Sequence, residues 1–312
     1  MSTLEALPDA GSVPGAAPSA GRQELGGRKV PLGRYATVRR YLPHTARRTI
    51  GSWCFLDAYG PDDVSTGPGM RIPPHPHTGL QTVSWLLDGE ILHRDSLGSV
   101  RRIRPGALGL MTAGRGIAHS EESPADRPAT LAGLQLWLAL PQEARGIEPR
   151  FEHHADLPAY ADGGVTATVM AGSLGGLDSP ARVHAPLVGA DVVVRGTGTL
   201  PIDPAYEHGV LPLGGAVSVD GRPVPGDTLL HLDRGRTSLR LSSDGGGRLL
   251  LLGGEPFGER LVMWWNFVGR SHDEVAAMRA DWAAGRGFGT VHGYDGDPLP
   301  APALPGVRLK PR

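Results

Sequence analysis

The chain has 312 residues, and its 46 glycines, 29 prolines and 20% charged residues favour a turn-rich β protein over a helical one. Its length allows two domains, each with a hydrophobic core of its own. The formal net charge of −1 predicts neither direct nucleic-acid binding nor membrane-surface binding. The single cysteine excludes an intramolecular disulfide, and no apolar run of about 18 residues occurs. We therefore expect a soluble, cytoplasmic protein.

The N-terminal segment is dominated by small residues, glycine and proline. Because such a segment cannot offset its ordering entropy by burial, we predict a disordered tail over residues 1–28. The fold is then expected to begin near Tyr35–Tyr41. The next element is a compact apolar strand at Ser52–Asp57, in which Cys54 is expected to be a small core residue.

The stretch at residues 69–122 contains two pairs of candidate metal ligands. His75 and His77 are two residues apart, as are His119 and Glu121. On an extended strand, side chains at positions i and i+2 point to the same face. Two such strands facing each other would bring three imidazoles and one carboxylate to one point. A first-row divalent metal accepts this mixture of nitrogen and oxygen ligands.

The residues between the two pairs also favour strands. The segment at residues 82–87 is rich in β-branched, aromatic and aliphatic residues, and Asp88-Gly89 is a strong hairpin turn signal. Residues 90–93 resume the extended pattern, and Arg104-Pro105-Gly106 marks a further turn. Nothing in this stretch has a helical period.

Several neighbouring residues leave alternatives open. Glu122 is the alternative carboxylate, but strand alternation turns it away from His119 unless a β-bulge intervenes. His93 has the wrong spacing for either pair, so a structural role is favoured. Arg115 either faces the cavity or serves only the geometry of its loop. Gln135 and Trp137 alternate with leucines, and the pattern does not decide which set lines the interior.

The second half of the chain predicts another all-β unit and a final helix. The unit covers residues 181–256, and its histidines His184, His208 and His231 form no His-x-His pair, so we expect it to bind no metal. Ser271-x-x-Glu274 is a capping box that predicts the start of a helix. Trp264-Trp265 is expected to pack against this helix; covering a pocket mouth is the alternative.

These motifs resemble the pirin family, two-domain members of the cupin superfamily. The resemblance is strongest over residues 35–150 and returns at 254–288. One departure is Gln81, where the first cupin motif usually carries glutamate. The matching motifs are His75-Pro76-His77, His93-Arg94-Asp95-Ser96-Leu97-Gly98, Arg104-Pro105-Gly106, Met111-Thr112-Ala113-Gly114-Arg115-Gly116, His119-Ser120-Glu121 and Gly133-Leu134-Gln135-Leu136-Trp137.

The resemblance implies an all-β fold of two cupin-type (jelly-roll) barrels in tandem with a C-terminal helix. We place the metal-binding N-terminal barrel at residues 29–165. A metal-free C-terminal barrel with the helix follows at residues 166–290. An extended tail follows at residues 291–312.

The resemblance also implies a function for the predicted metal site. It favours iron(II), although ligand type alone leaves manganese, nickel, copper and zinc open. The implied activity is that of a quercetin 2,3-dioxygenase, which opens the ring of a flavonol with dioxygen and releases carbon monoxide. His75, His77, His119 and Glu121 would bind the metal, and Glu121 would also act as the catalytic base. The alternative is a metal- or redox-dependent regulatory protein that binds a transcription factor or a metabolic enzyme.

Overall fold

The computed structural model describes residues 21–32 and 36–312. The all-β prediction is confirmed, since the chain forms strands throughout and one helix near its C-terminal end. The strands of the first half are β1 (Arg22–Gly26), β2 (Arg28–Leu32), β3 (Ala36–Leu42), β4 (Trp53–Asp63), β5 (Arg71–His77), β6 (Leu80–Asp88), β7 (Ile91–Asp95), β8 (Val100–Ile103), β9 (Leu108–Thr112), β10 (Ile117–Glu122), β11 (Thr130–Ala139) and β12 (Arg150–His154).

The second half of the chain also consists mainly of strands, and its last element is the helix. Its elements are β13 (Ala159–Asp162), β14 (Val165–Leu174), β15 (Leu177–Asp178), β16 (Leu187–Val194), β17 (Thr197–Pro201), β18 (Glu207–Gly214), β19 (Val217–Val219), β20 (Arg222–Val224), β21 (Thr228–Leu232), β22 (Ser238–Ser242), β23 (Gly247–Gly254), β24 (Val262–Trp264), β25 (Phe267–Gly269) and α1 (His272–Ala283).

Each half forms a large and a small antiparallel sheet that pack on each other. In the first unit the large sheet has the order β12-β9-β6-β11-β4-β3-β2, and the small sheet has the order β5-β10-β7-β8. In the second unit the large sheet has the order β1-β21-β18-β23-β16-β14-β13, with β15 beside β14. Its small sheet has the order β17-β22-β19-β20, and valines and leucines fill the space between the two.

A shared core joins the two units through their large sheets. Leu134, Leu136 and Leu138 on β11 point away from the interior of the first unit and pack in this core, together with leucines of β18, β21 and β23. The indole nitrogen of Trp53 donates to the carbonyl oxygen of Val188 at 3.1 Å, across the contact. The buried polar group of the tryptophan is therefore satisfied by the neighbouring unit.

The predicted N-terminal tail needs correction at its end. Residues 22–26 form β1, which pairs antiparallel with β21 of the second unit and buries Leu25 completely. Residues 1–20 and Tyr35 lie outside the described residues. The segment preceding the first unit therefore supplies an outer strand to the sheet of the other unit, because its short alternating pattern fits the free edge of β21.

The C-terminal helix begins as predicted. The Ser271 side chain accepts a hydrogen bond from the Glu274 backbone nitrogen, and Val275 is buried against Trp264 and Trp265. The packing role expected for the two tryptophans is thereby observed. The following chain runs back over the first unit, where the Leu299 nitrogen donates to the Pro74 carbonyl oxygen at 2.8 Å. Among the described residues, no helix has the length and hydropathy that a membrane crossing requires.

Candidate metal centre

Three histidines converge where β5 and β10 pair. His75 and His77 follow each other on one face of β5, and the Cα partner of His119 on β10 is His75. Their candidate ligand atoms all lie within 4.8 Å of one another, and each side chain is buried. The two adjacent antiparallel strands thus bring His119 beside His75 and His77, although more than forty positions separate it from them in the sequence.

Hydrogen bonding and burial prepare these rings to act as ligands. The Nδ1 atom of His75 lies 2.9 Å from the Pro73 carbonyl oxygen, which can only accept, so Nδ1 carries the hydrogen and Nε2 keeps a lone pair. Burial lowers the pKa of His75 to about 4. Burial also holds the pKa values of His77 and His119 well below the ordinary histidine range. The three imidazoles are therefore neutral at pH 7, which is the form that binds metals.

The arrangement fits a divalent first-row metal. The Nε2 atoms of His77 and His119 lie 3.1 Å apart. Two imidazole nitrogens bound to one such ion at about 2.1 Å are separated by roughly 3 Å, so no large rearrangement is needed. Three neutral nitrogen ligands suit zinc, copper, iron and nickel alike, and the geometry does not choose among them.

Glu121 lies two residues beyond His119 on β10 and lines the same cavity as the three histidines. A carboxylate oxygen of Glu121 and ring nitrogens of His93 and His119 lie within 4.8 Å of one another. Glu121 does not belong to the cluster formed by His75, His77 and His119. Strand β10 pairs regularly with β7, and the register shift near this site belongs to its pairing with β5. Glu121 therefore points inward, whereas Glu122 turns away and pairs with Arg94 at 3.2 Å.

Glu121 is buried and accepts a hydrogen bond from the large sheet. Burial raises the pKa of its carboxyl group, and a hydrogen bond of 3.0 Å from the Ser84 hydroxyl opposes this shift. Ser84 in turn lies 3.2 Å from the Gln135 amide oxygen, on the neighbouring strand β11. The carboxylate is thus held in place by the large sheet that faces it.

His93 touches the centre, although its sequence spacing pointed to a structural role. Its Nδ1 atom lies 3.4 Å from Nδ1 of His119, and its Nε2 atom lies 3.2 Å from the Asp95 carboxylate. Its ring stacks on Phe151 with a centroid separation of 4.1 Å. Strand β7 lies beside β10, so His93 stands behind the histidine cluster. The HRDSLG motif of the sequence was the available signal.

An aromatic and apolar cavity opens above the three histidines. Phe55 and Trp137 stack with ring centroids 4.1 Å apart, and Trp137 also meets the edge of His77 at 5.2 Å. Gln135 and Trp137 therefore belong to the inner face of β11, which the sequence left undecided. The remaining wall residues come from both ends of the chain: Val38, Asp57, Tyr59, Met70, Ile72, Asn266 and Leu299.

Two other predicted candidates lie outside the cavity. Arg115 is largely exposed and pairs with Glu148, so only its loop geometry serves the site. Gly114 in that loop has φ +51°, and a Cβ atom there would lie 2.0 Å from the Ile147 carbonyl oxygen. Gln81 is buried and donates to the Thr112 hydroxyl at 2.8 Å. The glutamine at the usual glutamate position thus serves packing between strands.

The histidines of the second unit form no comparable cluster within the described chain. His231 pairs with Glu207 at 3.1 Å, and Glu207 also accepts from Arg47 at 2.9 Å. His208 is fully buried. The groups of this unit therefore serve contacts between strands and between units.

Comparisons with known proteins agree with this architecture. The Pirin family model matches residues 35–138, and the Pirin C-terminal cupin domain matches residues 191–289. A Pseudomonas aeruginosa protein, provisionally named a quercetin 2,3-dioxygenase, is 48% identical over 287 residues, covering 91% of this chain and 90% of the relative. A pirin-like protein of Caulobacter vibrioides is 38% identical over 276 residues, covering 83% of this chain and 92% of the relative.

A solved structure shows the same fold at full length. The crystal structure of a quercetin 2,3-dioxygenase from Acinetobacter baumannii is similar with a TM-score of 0.88 and 39% identity. The similarity covers 93% of this chain and 98% of that chain. Both halves of the chain therefore have counterparts in one solved protein, and the chain belongs to the pirin family.

Proposed function

We propose that this protein is a metal-dependent dioxygenase that opens the ring of a flavonol-type aromatic substrate. The observation that carries the proposal is the floor of the aromatic cavity, where three buried, neutral imidazoles converge. The names of the Pseudomonas and Acinetobacter relatives support the choice of substrate class.

The proposed metal ligands are His75, His77 and His119, with Glu121 as the fourth. The resemblance to the pirin family supports iron(II) as the proposed resident ion. When bound, such an ion supplies Lewis acidity toward a substrate oxygen and redox chemistry toward dioxygen. A set of three neutral ligands and one carboxylate leaves the divalent charge partly uncompensated, which favours an anionic substrate oxygen.

The protein side chains bind the substrate and remove its proton. Trp137, stacked on Phe55, forms part of an apolar wall that excludes water and against which an aromatic ring would pack. Glu121 accepts the proton of the substrate hydroxyl, and the burial that raises its pKa makes it a stronger base than an exposed carboxylate. The hydrogen bond from Ser84 keeps the accepting oxygen in a fixed position.

Metal analysis combined with a quercetin and oxygen assay tests the proposal. The wild-type protein should contain about one metal ion per chain and consume quercetin and oxygen together. His119→Ala should lose both properties, because it removes one of three converging nitrogens. The control His292→Ala changes an exposed histidine and should keep both. Stoichiometric metal without turnover, for iron, manganese, nickel and copper alike, would reject the dioxygenase and favour the regulatory alternative.

A further inference from the structure

Asn266 is a buried amide in the wall of the metal cavity. Its side chain is 1% exposed, and it lines the cavity together with His75, His77 and Trp137. Neither its Nδ2 nor its Oδ1 atom has a hydrogen-bond partner among residues 21–32 and 36–312. An amide buried without partners is unfavourable in the free protein, so its presence in the cavity wall points to a ligand that completes its hydrogen bonds.

The backbone around Asn266 is built to hold this side chain in place. Strands β24 and β25 form a hairpin whose turn is Trp265-Asn266. Trp265 has φ +53°, a left-handed conformation that is uncommon for a bulky residue and is often found at functional sites. The hairpin is tied to the residue that follows the metal strand β5, because the Val268 nitrogen donates to the Thr78 carbonyl oxygen at 3.1 Å. The amide is therefore presented from a rigid support.

We propose that Asn266 orients the substrate by hydrogen bonding to a hydroxyl group at its periphery, and that it makes the site selective for polyhydroxylated aromatic compounds. A primary amide offers both a donor and an acceptor, as a phenolic hydroxyl does. A site that holds a buried hydrogen-bonding group discriminates against analogues that lack the matching hydroxyl. This inference rests on the proposed function, since the metal centre is taken to bind the part of the substrate that reacts.

Two flavonols separate this inference from the proposed function. Quercetin and 3-hydroxyflavone share the hydroxyketone that would meet the metal, but only quercetin carries further ring hydroxyls. Binding is measured by titration of the iron-loaded protein under argon, where no turnover occurs. In Asn266→Leu, the Kd for quercetin should rise about tenfold or more, and the Kd for 3-hydroxyflavone should stay within about twofold. The metal content and the thermal midpoint should not fall.

A matched variant controls for the loss of a buried polar atom. The Ser52 hydroxyl is also buried and without a partner in the described chain, but Ser52 does not line the cavity. Ser52→Ala should leave both Kd values unchanged. Equal effects of Asn266→Leu on the two flavonols, or no effect on either, would overturn the role of Asn266. If the wild-type protein binds neither flavonol, the proposed function is refuted, and the inference falls with it.

Discussion

The Nδ1 atom of His93 lies 3.4 Å from Nδ1 of His119, and His93 reaches the Asp95 carboxylate through its other nitrogen at 3.2 Å. A carboxylate only accepts, so His93 Nε2 carries the hydrogen and His93 Nδ1 keeps a lone pair. His119 then donates from Nδ1, which leaves the lone pair on the Nε2 atom that faces His77. Asp95 thus selects, through His93, the tautomer of His119 that can bind a metal.

Replacement of His93 should weaken metal binding without unfolding the site. In His93→Phe the stacking on Phe151 is kept, but the hydrogen bond that orients His119 is lost. We expect the metal dissociation constant to rise about 10- to 100-fold, as for other partners of metal ligands. Competition with a chelator measures this constant. His153→Phe on strand β12 is the control, and equal affinities in the two variants would contradict the orienting role.

The two adjacent glutamates of β10 give a matched test of the catalytic base. Glu121→Gln should lower kcat/KM for quercetin by about 10²- to 10⁴-fold, because it removes the proton acceptor. It should still bind metal, since the three imidazoles remain. Glu122→Gln only breaks a partly exposed pair with Arg94 and should change kcat/KM little. Steady-state assays and metal analysis compare the two variants, and similar losses in both would refute the assignment.

A buried ion pair at the edge of the cavity should matter for stability. Arg40 donates to Asp57 through two hydrogen bonds of 2.8 Å, with side chains 1% and 4% exposed. Asp57→Ala should lower the free energy of unfolding by about 3–5 kcal/mol, because it removes one partner of a buried ion pair. The double variant Arg40→Met/Asp57→Leu should recover much of the loss. Urea unfolding measures both, and a loss in Asp57→Ala below about 1 kcal/mol would contradict the prediction.

His208 should make the second unit sensitive to acid. Burial lowers its pKa from 6.5 to about 4. The unfolded chain therefore takes up a proton below about pH 6.5, whereas the folded chain resists it until about pH 4. The free energy of unfolding thus decreases as the pH falls through this window, by up to about 3 kcal/mol in total.

Urea unfolding at about pH 7 and about pH 4.5 isolates this contribution. His208→Leu should lose less stability than the wild-type protein between the two conditions. His292→Leu, which changes an exposed histidine, should behave as the wild type does. The same loss in His208→Leu as in the wild type would show that the buried imidazole is not the acid-sensitive group.

The parts of the site that were predictable depend on local geometry. His75 and His77 share a face because strand side chains alternate, and the same rule brings Glu121 into the cavity beyond His119. The contact of His93 with His119 depends on the lateral pairing of β10 with β7. Residue spacing within a single strand does not predict which strands are neighbours. The position of Asn266 depends on a hairpin from the far end of the chain.

The fold likewise has parts that the sequence predicts and parts that it does not. Alternation and turn residues predict the individual strands, the chain length and the pirin resemblance predict two units, and the capping box at Ser271 predicts the helix. The pairing of β1 with β21 was not predicted. Residues 22–26 form a short, mostly polar segment that carries little strand signal of its own, and its partner strand lies far along the chain.

The crossing of β1 into the second unit limits how the protein can be divided. A cut in the linker between β12 and β13 would leave β1 on the first fragment and expose the edge of β21 on the second. Unpaired strand edges promote association between chains. The two cupin units are therefore not interchangeable modules, and a recombinant second unit would need residues 22–26 supplied as a peptide or a fused strand to remain monomeric.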